Sequence, residues 1–150
     1  MRALVQRVTE AEVAVGDAVA GSVGPGLLVL LGVSGADTTE DARRLAAKCA
    51  VLRIFDDADG KMNLSLKQTG GEALIVSQFT LYGDASRGNR PSYASAAPPD
   101  LAERLYEEFL SAFRAEIGAE KVRSGVFRAM MKVRLTNDGP VTILLDTEGR

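Results

Sequence analysis

Histidine is absent from the 150-residue sequence, and cysteine occurs once, at Cys49. A single chain therefore holds neither a disulfide nor a Cys/His zinc cluster. Serine–histidine and cysteine–histidine catalysis are excluded as well, together with any imidazole acid or base. An enzyme with this sequence must work with hydroxyl, amide or carboxylate groups, with Lys or Arg, with its backbone, or with the substrate itself.

Long apolar runs are also missing. The run at residues 27–33 is far too short to span a membrane. The N-terminal stretch MRALVQRVTEAEVAV lacks the apolar core and small-residue cleavage site of a secretory signal. The net charge of −2 gives no general attraction to nucleic acid, so an RNA contact would require a local basic patch. We expect a soluble cytoplasmic protein that does not associate with membranes.

Apolar periodicity predicts one mixed α/β domain over residues 1–150, with layered, largely antiparallel or mixed β-sheets and two main helices. The predicted strands are residues 2–10, 12–15, 19–23, 27–33, 72–81, 121–124, 131–136 and 141–146. The first of these form an antiparallel meander around the turn at Gly16. Residues 27–33 are apolar throughout, as in a strand buried on both faces.

Two helices are predicted from the residues that mark where each begins or ends. Thr38 and Asp41 fit a capping box, and a helix follows over about 39–54. A second helix starts near Pro98 and ends at Gly118. Cys49 falls on or beside the apolar face of the first helix, which favours a small buried hydrophobe over a nucleophile.

Ser77 and Gln78 directly follow the apolar triplet LIV of a predicted strand. Two adjacent polar residues that enter a core or cleft need hydrogen-bond partners. Either their hydroxyl and amide groups cap a strand end, or Ser77, Gln78, Phe79 and Thr80 present polar groups and backbone N–H groups to a polarised carbonyl. Without histidine, Ser77 and Thr80 are poorly activated nucleophiles.

Three further features stay open on residue types alone. The stretch RGNRPSY, within a long Gly-, Ser- and Pro-rich loop at 83–99, suits phosphate and base contacts or a solvated surface equally well. GKMN at 60–63 is a site or a turn. Arg7 lies in a semi-apolar strand, where it either reaches the surface or pairs internally.

Asn137-Asp138-Gly139-Pro140 predicts a turn between two strands, although Pro140 lacks the N–H that a following strand needs. The segment is therefore either a turn or a backbone shape held for chemistry. No dinucleotide fingerprint, Walker A motif or calcium loop is present, and residues 56–60 lack the calcium-loop register. We expect neither a cofactor nor a metal.

Four motifs together resemble the D-aminoacyl-tRNA deacylases, also called D-tyrosyl-tRNA deacylases: SQFTL at 77–81, NDGPVT at 137–142, GKMN and RPSY. The resemblance runs essentially end to end. It implies the fold of that family and a homodimeric esterase that removes D-amino acids from the 3′ end of tRNA, and glycine mischarged on tRNA-Ala. Such an enzyme proofreads chirality in translation by rejecting L-aminoacyl substrates.

The resemblance also implies roles for individual residues. A cis Gly139–Pro140 segment would enter the partner subunit's pocket and exclude L side chains, and Arg7 would brace it. Asn137 and Met131 would contribute to substrate binding. Ser77, Gln78, Phe79 and Thr80 would line the ester carbonyl, with backbone N–H groups as an oxyanion hole. The tRNA contacts would come from Lys61, Arg87, Arg90 and Ser92.

An aminoacyl ester is already activated, and a neighbouring ribose hydroxyl can assist the attack of water. We therefore expect Thr80 to position water rather than to act as a nucleophile. Two alternatives remain: a non-catalytic dimeric nucleic-acid-binding module, and a general small-ester hydrolase that uses Ser77 or Thr80.

Overall fold

The computed structural model describes residues 1–149. Its strands are β1 Arg2–Val15, β2 Ala18–Val23, β3 Gly26–Gly32, β4 Phe55–Asp56, β5 Met62–Leu64, β6 Glu72–Ser77, β7 Val122–Ser124 and β8 Lys132–Asp146. Its helices are α1 Thr39–Val51, α2 Leu66–Thr69 and α3 Pro99–Ile117, with short 3₁₀ helices at Phe79–Tyr82 and Ala119–Lys121. The predicted mixed α/β class is confirmed, with the one-turn α2 added to the two main helices. No helix in this part of the chain is long and apolar enough to cross a membrane.

The strand β1 organises the main sheet because both of its edges are paired. One edge runs antiparallel to β8, and β3 and then β2 share the other. Beyond β3 the sheet continues through the parallel strands β6 and β7. The predicted break after residue 10 is wrong, since Ala11 pairs with both Val23 and Leu135. The predicted antiparallel pairing around the turn at Gly16 is confirmed, with β1 and β2 forming a hairpin there.

Apolar side chains cover both faces of the main sheet. Helices α1 and α3 pack on one face, over a core that includes Leu27, Val29 and Leu31 of β3. Leu28 joins the smaller cluster on the opposite face. β3 is thus buried on both faces, as predicted. Cys49 is fully buried in the first core, where burial raises the pKa of its thiol to about 12.

Both main helices begin where the sequence predicts. Thr38 and Asp41 form the capping box of α1, with the Thr38 N–H donating to Asp41 Oδ2 at 2.9 Å. This helix ends at Val51, earlier than predicted, because Phe55 is drawn into pairing with Leu64 in the small β4–β5 hairpin. Helix α3 ends at Gly118, whose φ of 104° suits glycine.

The strand predicted at 72–81 is too long. β6 ends at Ser77, and the backbone N–H of Gln78 donates to Leu31 O at 2.8 Å. The chain then tightens into the 3₁₀ helix Phe79–Tyr82, with Leu81 N donating to Gln78 O at 3.2 Å. Alternating polar and apolar residues fit both conformations, so the pattern did not reveal the change.

The backbone carbonyl of Ile75, in the middle of β6, accepts two hydrogen bonds. The Tyr106 hydroxyl of α3 donates to it at 2.8 Å, and the Gly125 N–H, just after β7, donates at 3.2 Å. One oxygen therefore joins β6, α3 and the start of the segment that leads to β8.

Candidate active site

Ser77, Gln78, Phe79 and Thr80 lie at the carboxyl end of β6, beside its parallel neighbour β3. Ser77 is the last residue of the ladder and pairs with Leu31. Ligands of α/β proteins commonly bind at the carboxyl ends of parallel strands. The 3₁₀ turn that follows leaves Phe79 and Thr80 exposed rather than buried in the sheet.

A cleft of about 670 Å³ opens against this strand end. Its lining is mostly apolar and comes from β3, β6, the loop before α3, α3 itself and the segment before β8. The lining residues are Leu31, Val33, Val76, Ser77, Gln78, Phe79, Tyr93, Ala96, Ala97, Pro99, Ala102, Phe127, Arg128, Ala129, Met130, Met131 and Val133. A pocket of this size accommodates a nucleoside-sized ligand.

An aromatic pair stands at one side of the cleft. Phe79 is 56% exposed, and its ring meets that of Tyr93 edge to face, with centroids 5.1 Å apart. Tyr93 is held by the ordered loop before α3, in which Asp84 and Ser92 exchange two backbone hydrogen bonds of 2.8 Å. Exposed aromatic rings of this kind offer a stacking surface to a planar ligand.

The cleft lining lacks a proton acceptor suited to general base catalysis. The Gln78 side-chain amide donates to the Thr80 hydroxyl, and an amide of this kind does not take up a proton. Among the described residues that line the cleft there is no carboxylate and no Lys. The chemistry available at this end of β6 is therefore hydrogen bonding and positioning.

The backbone supplies donors where side chains do not. The N–H groups of Phe79 and Thr80 open the first turn of a 3₁₀ helix, so the helix itself offers them no acceptor. The neighbouring N–H of Gln78 is already engaged by Leu31 O. Donors of this kind can stabilise negative charge that develops on a carbonyl oxygen.

Residues 137–140 form a bulge inside β8, and the predicted turn between two separate strands is wrong. Val8 pairs with Asn137 and Gln6 with Thr142, so residues 138–141 lie opposite Arg7 alone. The strand continues on both sides because β1 provides a ladder from residue 2 to residue 14. Long-range pairing thus overrides the local turn preference of Asn-Asp-Gly-Pro.

Side chains hold this bulge from both ends. Asn137 closes it by donating from Nδ2 to Val141 O at 3.1 Å and accepting from Val141 N at 2.8 Å. Arg7 donates from Nε to Asp138 O at 2.7 Å and from Nη1 to Ile54 O at 2.8 Å. The Arg7 side chain is only 11% exposed, so it pairs internally rather than reaching the surface.

Gly139 and Pro140 are exposed between these anchors. The peptide bond that joins them is cis. Gly139 has a φ of 149°, and a Cβ atom there would lie 2.7 Å from Val141 Cγ2. A side chain at position 139 would therefore strain the backbone and crowd its neighbour.

Charged groups beside this bulge belong to the β4–β5 turn. Asp56 pairs with Arg7 at 3.3 Å. The pKa of the Asp57 carboxyl is lowered by hydrogen bonds from the Lys61 and Asp59 N–H groups and the Asn63 side chain. Within residues 1–149, no three His, Cys, Asp or Glu side chains are grouped to hold a metal ion.

Comparison with known proteins gives this geometry a context. Residues 4–146 match the family model described as D-Tyr-tRNA(Tyr) deacylase. The chain belongs to this family. It is 59% identical over 147 residues to a D-aminoacyl-tRNA deacylase of Anaeromyxobacter dehalogenans, covering 98% of this chain and 97% of that one. It is 57% identical to one of Thermotoga petrophila, at the same coverage.

Two solved structures of similar fold have names that refer to different functions. A c-Myc DNA unwinding element binding protein superposes with a TM-score of 0.93 at 41% identity, over 98% of this chain and 99% of that one. A probable eukaryotic D-amino acid tRNA deacylase superposes with a TM-score of 0.83 at 19% identity, over 96% and 97%. The second likeness concerns the fold.

The two motifs of the deacylase family lie in different places on one chain. Ser77, Gln78 and Phe79 line the cleft, and Met131 joins them from the segment before β8. None of residues 137–141 is among the described residues of that lining. A single chain therefore does not bring Gly139 and Pro140 to the strand end of β6.

The four predicted tRNA contacts are also divided. Arg87 and Arg90 are exposed near the tip of the loop closed by Asp84 and Ser92. Lys61 is exposed in the β4–β5 turn, where its carbonyl accepts from Asp57 N at 2.8 Å. Lys61 therefore lies in the turn beside the bulge, whereas Arg87, Arg90 and Ser92 lie in the loop that supplies Tyr93 to the cleft.

The sequence interpretation missed one part of the cleft. Residues 126–130 supply Phe127, Arg128 and Met130 to its lining, and Met130 is 89% exposed. The sequence did contain a signal for this part of the cleft: a phenylalanine beside an arginine, followed by two adjacent methionines. These residues fall in or next to a short unassigned segment between two predicted strands.

Proposed function

We propose that this chain hydrolyses the ester bond of D-aminoacyl-tRNA, releasing tRNA and the D-amino acid and sparing L-aminoacyl-tRNA. The observation that carries the proposal is an apolar cleft that ends at backbone donors, together with a separately braced backbone segment that has no side chain at Gly139. Glycyl-tRNA mischarged on tRNA-Ala is a second substrate, because a selector that excludes an L side chain admits hydrogen.

The cleft receives the aminoacylated 3′-terminal nucleoside. Its base stacks beside Phe79 and Tyr93, and the ester carbonyl faces the N–H groups of Phe79 and Thr80. Water attacks with the help of the neighbouring ribose hydroxyl, and Thr80 positions it. The absence of a proton acceptor among the described lining residues supports this division of roles.

Chiral selection takes place between two subunits. Gly139 and Pro140 of one subunit enter the cleft of its partner, where their backbone oxygens meet the α-amino group of the substrate and leave no room for an L side chain. The exposure of this segment and its distance from the cleft lining of its own chain support a cross-subunit site. The protein is accordingly a homodimer with two equivalent sites.

The substrate's tRNA body is held by Lys61, Arg87, Arg90 and Ser92, which are all exposed. Phosphate contacts of this kind position a nucleic acid without reading its sequence. The hydrolysis takes place in the cytoplasm, where tRNA is aminoacylated and used in translation.

Incubation with D-tyrosyl-tRNA and L-tyrosyl-tRNA tests the function. Release of D-tyrosine with L-tyrosyl-tRNA left intact is the expected result. Equal release from both substrates would favour a general ester hydrolase that uses Ser77 or Thr80. Binding of tRNA without release of either amino acid would favour a nucleic-acid-binding module.

The binding module is the second candidate. It is favoured by the similarity, at 41% identity, to a solved structure that is named for binding a DNA unwinding element. It predicts retention of duplex DNA on the protein at physiological salt and no turnover, so the deacylation assay separates it from the first candidate.

Subunit complementation tests the cross-subunit site. A variant with the bulge disrupted by Gly139→Ala and a variant with the cleft altered by Phe79→Ala and Gln78→Ala are each expected to lose most activity. Refolding the two together should restore about a quarter of the wild-type activity, since half of the dimers contain one intact site. Absence of any recovery, with mixed dimers demonstrated by differently tagged subunits, would place both motifs in one subunit's site.

A further inference from the structure

Arg128 occupies a backbone position that normally belongs to glycine. Ala129 N donates to Val126 O at 3.2 Å, so residues 126–129 form a β-turn with Arg128 at its third position. The φ of Arg128 is 64°, the one positive φ of a non-glycine residue in the described chain. Glycine or asparagine usually fills such a position, because a Cβ atom there costs conformational energy.

No contact among residues 1–149 accounts for an arginine in this turn. The side chain is exposed, and no hydrogen bond or ion pair involves it among residues 1–149. Packing and pairing therefore do not offset the cost of the left-handed backbone. Backbone strain that is kept at the edge of a binding site points to a role in binding.

Arg128 is also the single charged side chain among the described residues that line the cleft. It sits in the same turn as Phe127 and beside Met130, in the segment that follows β7. An unpaired guanidinium at the rim of an apolar cleft attracts an anion and binds phosphate with two parallel N–H donors.

We propose that Arg128 binds the 5′-phosphate of the 3′-terminal nucleotide of the substrate and so positions the aminoacylated nucleoside in the cleft. This inference rests on the proposed function, since it takes the terminal nucleoside as the occupant. A nucleoside carries its phosphate at the opposite side of the ribose from the 3′ ester, so an anion site at the cleft rim complements an ester site at β6. Arg128 is a positioning residue and does not touch the reacting carbonyl.

Two minimal substrates separate the phosphate contact from the chemistry: 3′-O-D-tyrosyl-adenosine and its 5′-monophosphate. For the wild-type protein, kcat/KM should be about tenfold higher with the phosphate, mainly through KM. In Arg128→Gln, which removes the charge and keeps a long polar side chain, this ratio should fall to near one. Arg128→Lys should retain part of it. The matched control Arg134→Gln, at an exposed cation outside the cleft lining, should leave it unchanged.

The full tRNA gives an independent readout. Removal of one phosphate contact should reduce the slope of log KM against log salt concentration by about 0.7. Arg128→Gly should raise the melting temperature by about 2–4 °C, because glycine tolerates this backbone, while it loses the same phosphate preference.

The outcomes distinguish the two levels of the proposal. A phosphate preference that survives in Arg128→Gln, or a wild-type protein that cleaves both minimal substrates equally well, overturns the role of Arg128 and leaves the deacylase function standing. A lower melting temperature for Arg128→Gly would show that the arginine stabilises the turn, and would also overturn it. Failure of the wild-type protein to cleave full-length D-tyrosyl-tRNA overturns the proposed function and this inference together.

Discussion

The strand end at Ser77–Thr80 and the bulge at Gly139–Pro140 are built in opposite ways. The first leaves the N–H groups of Phe79 and Thr80 without an acceptor inside its 3₁₀ turn, and it faces a cleft of about 670 Å³. The second lies outside the described lining of that cleft, and Asn137 and Arg7 hold it with three hydrogen bonds to its own backbone. A fourth bond anchors Arg7 itself to Ile54 O.

Under the proposed function, this difference assigns the chemistry to the strand end and the selection to the bulge. Free donors beside a cleft can respond to a reacting carbonyl, and a braced backbone can reject a shape without any side-chain chemistry. Substitutions in the bulge should therefore alter discrimination and rate through geometry. Substitution of a hydroxyl in the cleft should matter less than its position suggests.

Gly139→Ala should have the largest effect. The new methyl group would lie 2.7 Å from Val141 Cγ2 and 2.8 Å from Val141 N, so the bulge must shift. We expect kcat/KM for D-tyrosyl-tRNA to fall about hundredfold, because a shift of this size misplaces the bound substrate. The relative rate on L-tyrosyl-tRNA should rise.

The control for this variant is Gly16→Ala, at another positive φ with no atom within 4 Å of the added carbon. It introduces backbone strain far from the proposed site and should leave both rates unchanged. If Gly139→Ala retained the wild-type rates and discrimination, Gly139 would have no place in the site.

Arg7→Ala should have an intermediate effect on both stability and activity. The substitution leaves Asp138 O and Ile54 O without their donor. We expect the free energy of unfolding to fall by about 2 kcal/mol and kcat/KM to fall about tenfold. Urea denaturation and the deacylation assay measure the two quantities.

Arg7→Lys is the informative companion, since an ammonium group cannot span two carbonyls as a guanidinium does. It should recover only part of each loss. Arg43→Ala, which removes an exposed pair with Glu108, should change the unfolding free energy by less than about 0.5 kcal/mol. An equal effect at both arginines would remove the special role of Arg7.

Thr80→Val should have a small effect on activity. The hydroxyl accepts from Gln78 and has no proton acceptor beside it, so its removal should lower kcat/KM by less than about tenfold. Single-turnover rates on D-tyrosyl-tRNA give this value directly. A loss of about 10⁴-fold, with tRNA binding intact, would identify Thr80 as a nucleophile.

Asp57→Asn, in the turn between β4 and β5, should have the smallest effect, on the stability of the protein. The pKa of Asp57 is lowered, first by the Lys61 N–H. A carboxyl group whose pKa is lowered by folding stabilises the protein at pH values above its ordinary pKa of 3.8. This stability is lost as the pH falls through the pKa of the folded state. The melting temperature of Asp57→Asn should therefore lie slightly below that of the wild type at pH 6 and converge with it as the pH falls below 3.8. Asp59→Asn, which changes the same charge in the same turn, serves as the control; convergence there as well would assign the effect to net charge.

Local signals in the sequence predicted the elements that depend on neighbours along the chain. The capping box at Thr38 and the glycine at the end of α3 both encode their helix ends directly. The bulge in β8 was mispredicted as a turn because its true partner, Arg7, is more than a hundred residues away along the chain. A local pattern carries no information on such pairing.

The same limit applies to the candidate site. The polar pair Ser77 and Gln78 was visible after an apolar strand, but the 3₁₀ turn that exposes Phe79 depends on packing against β3. The left-handed turn at Arg128 was invisible, because arginine gives no hint of a positive φ. Residue types indicated the chemistry, and tertiary contacts determined which groups face the cleft.

The shared carbonyl of Ile75 limits how this protein can diverge. Both of its lone pairs are used, by Tyr106 and by the N–H of Gly125. The segment that runs from Gly125 to the rim of the cleft is thereby pinned to β6 at a fixed point. A substitution along this rim leaves the junction intact, whereas an inserted or deleted residue before Gly125 would move its N–H away from Ile75 O. The length of the chain up to Gly125 is therefore more tightly constrained than the residue types that follow it.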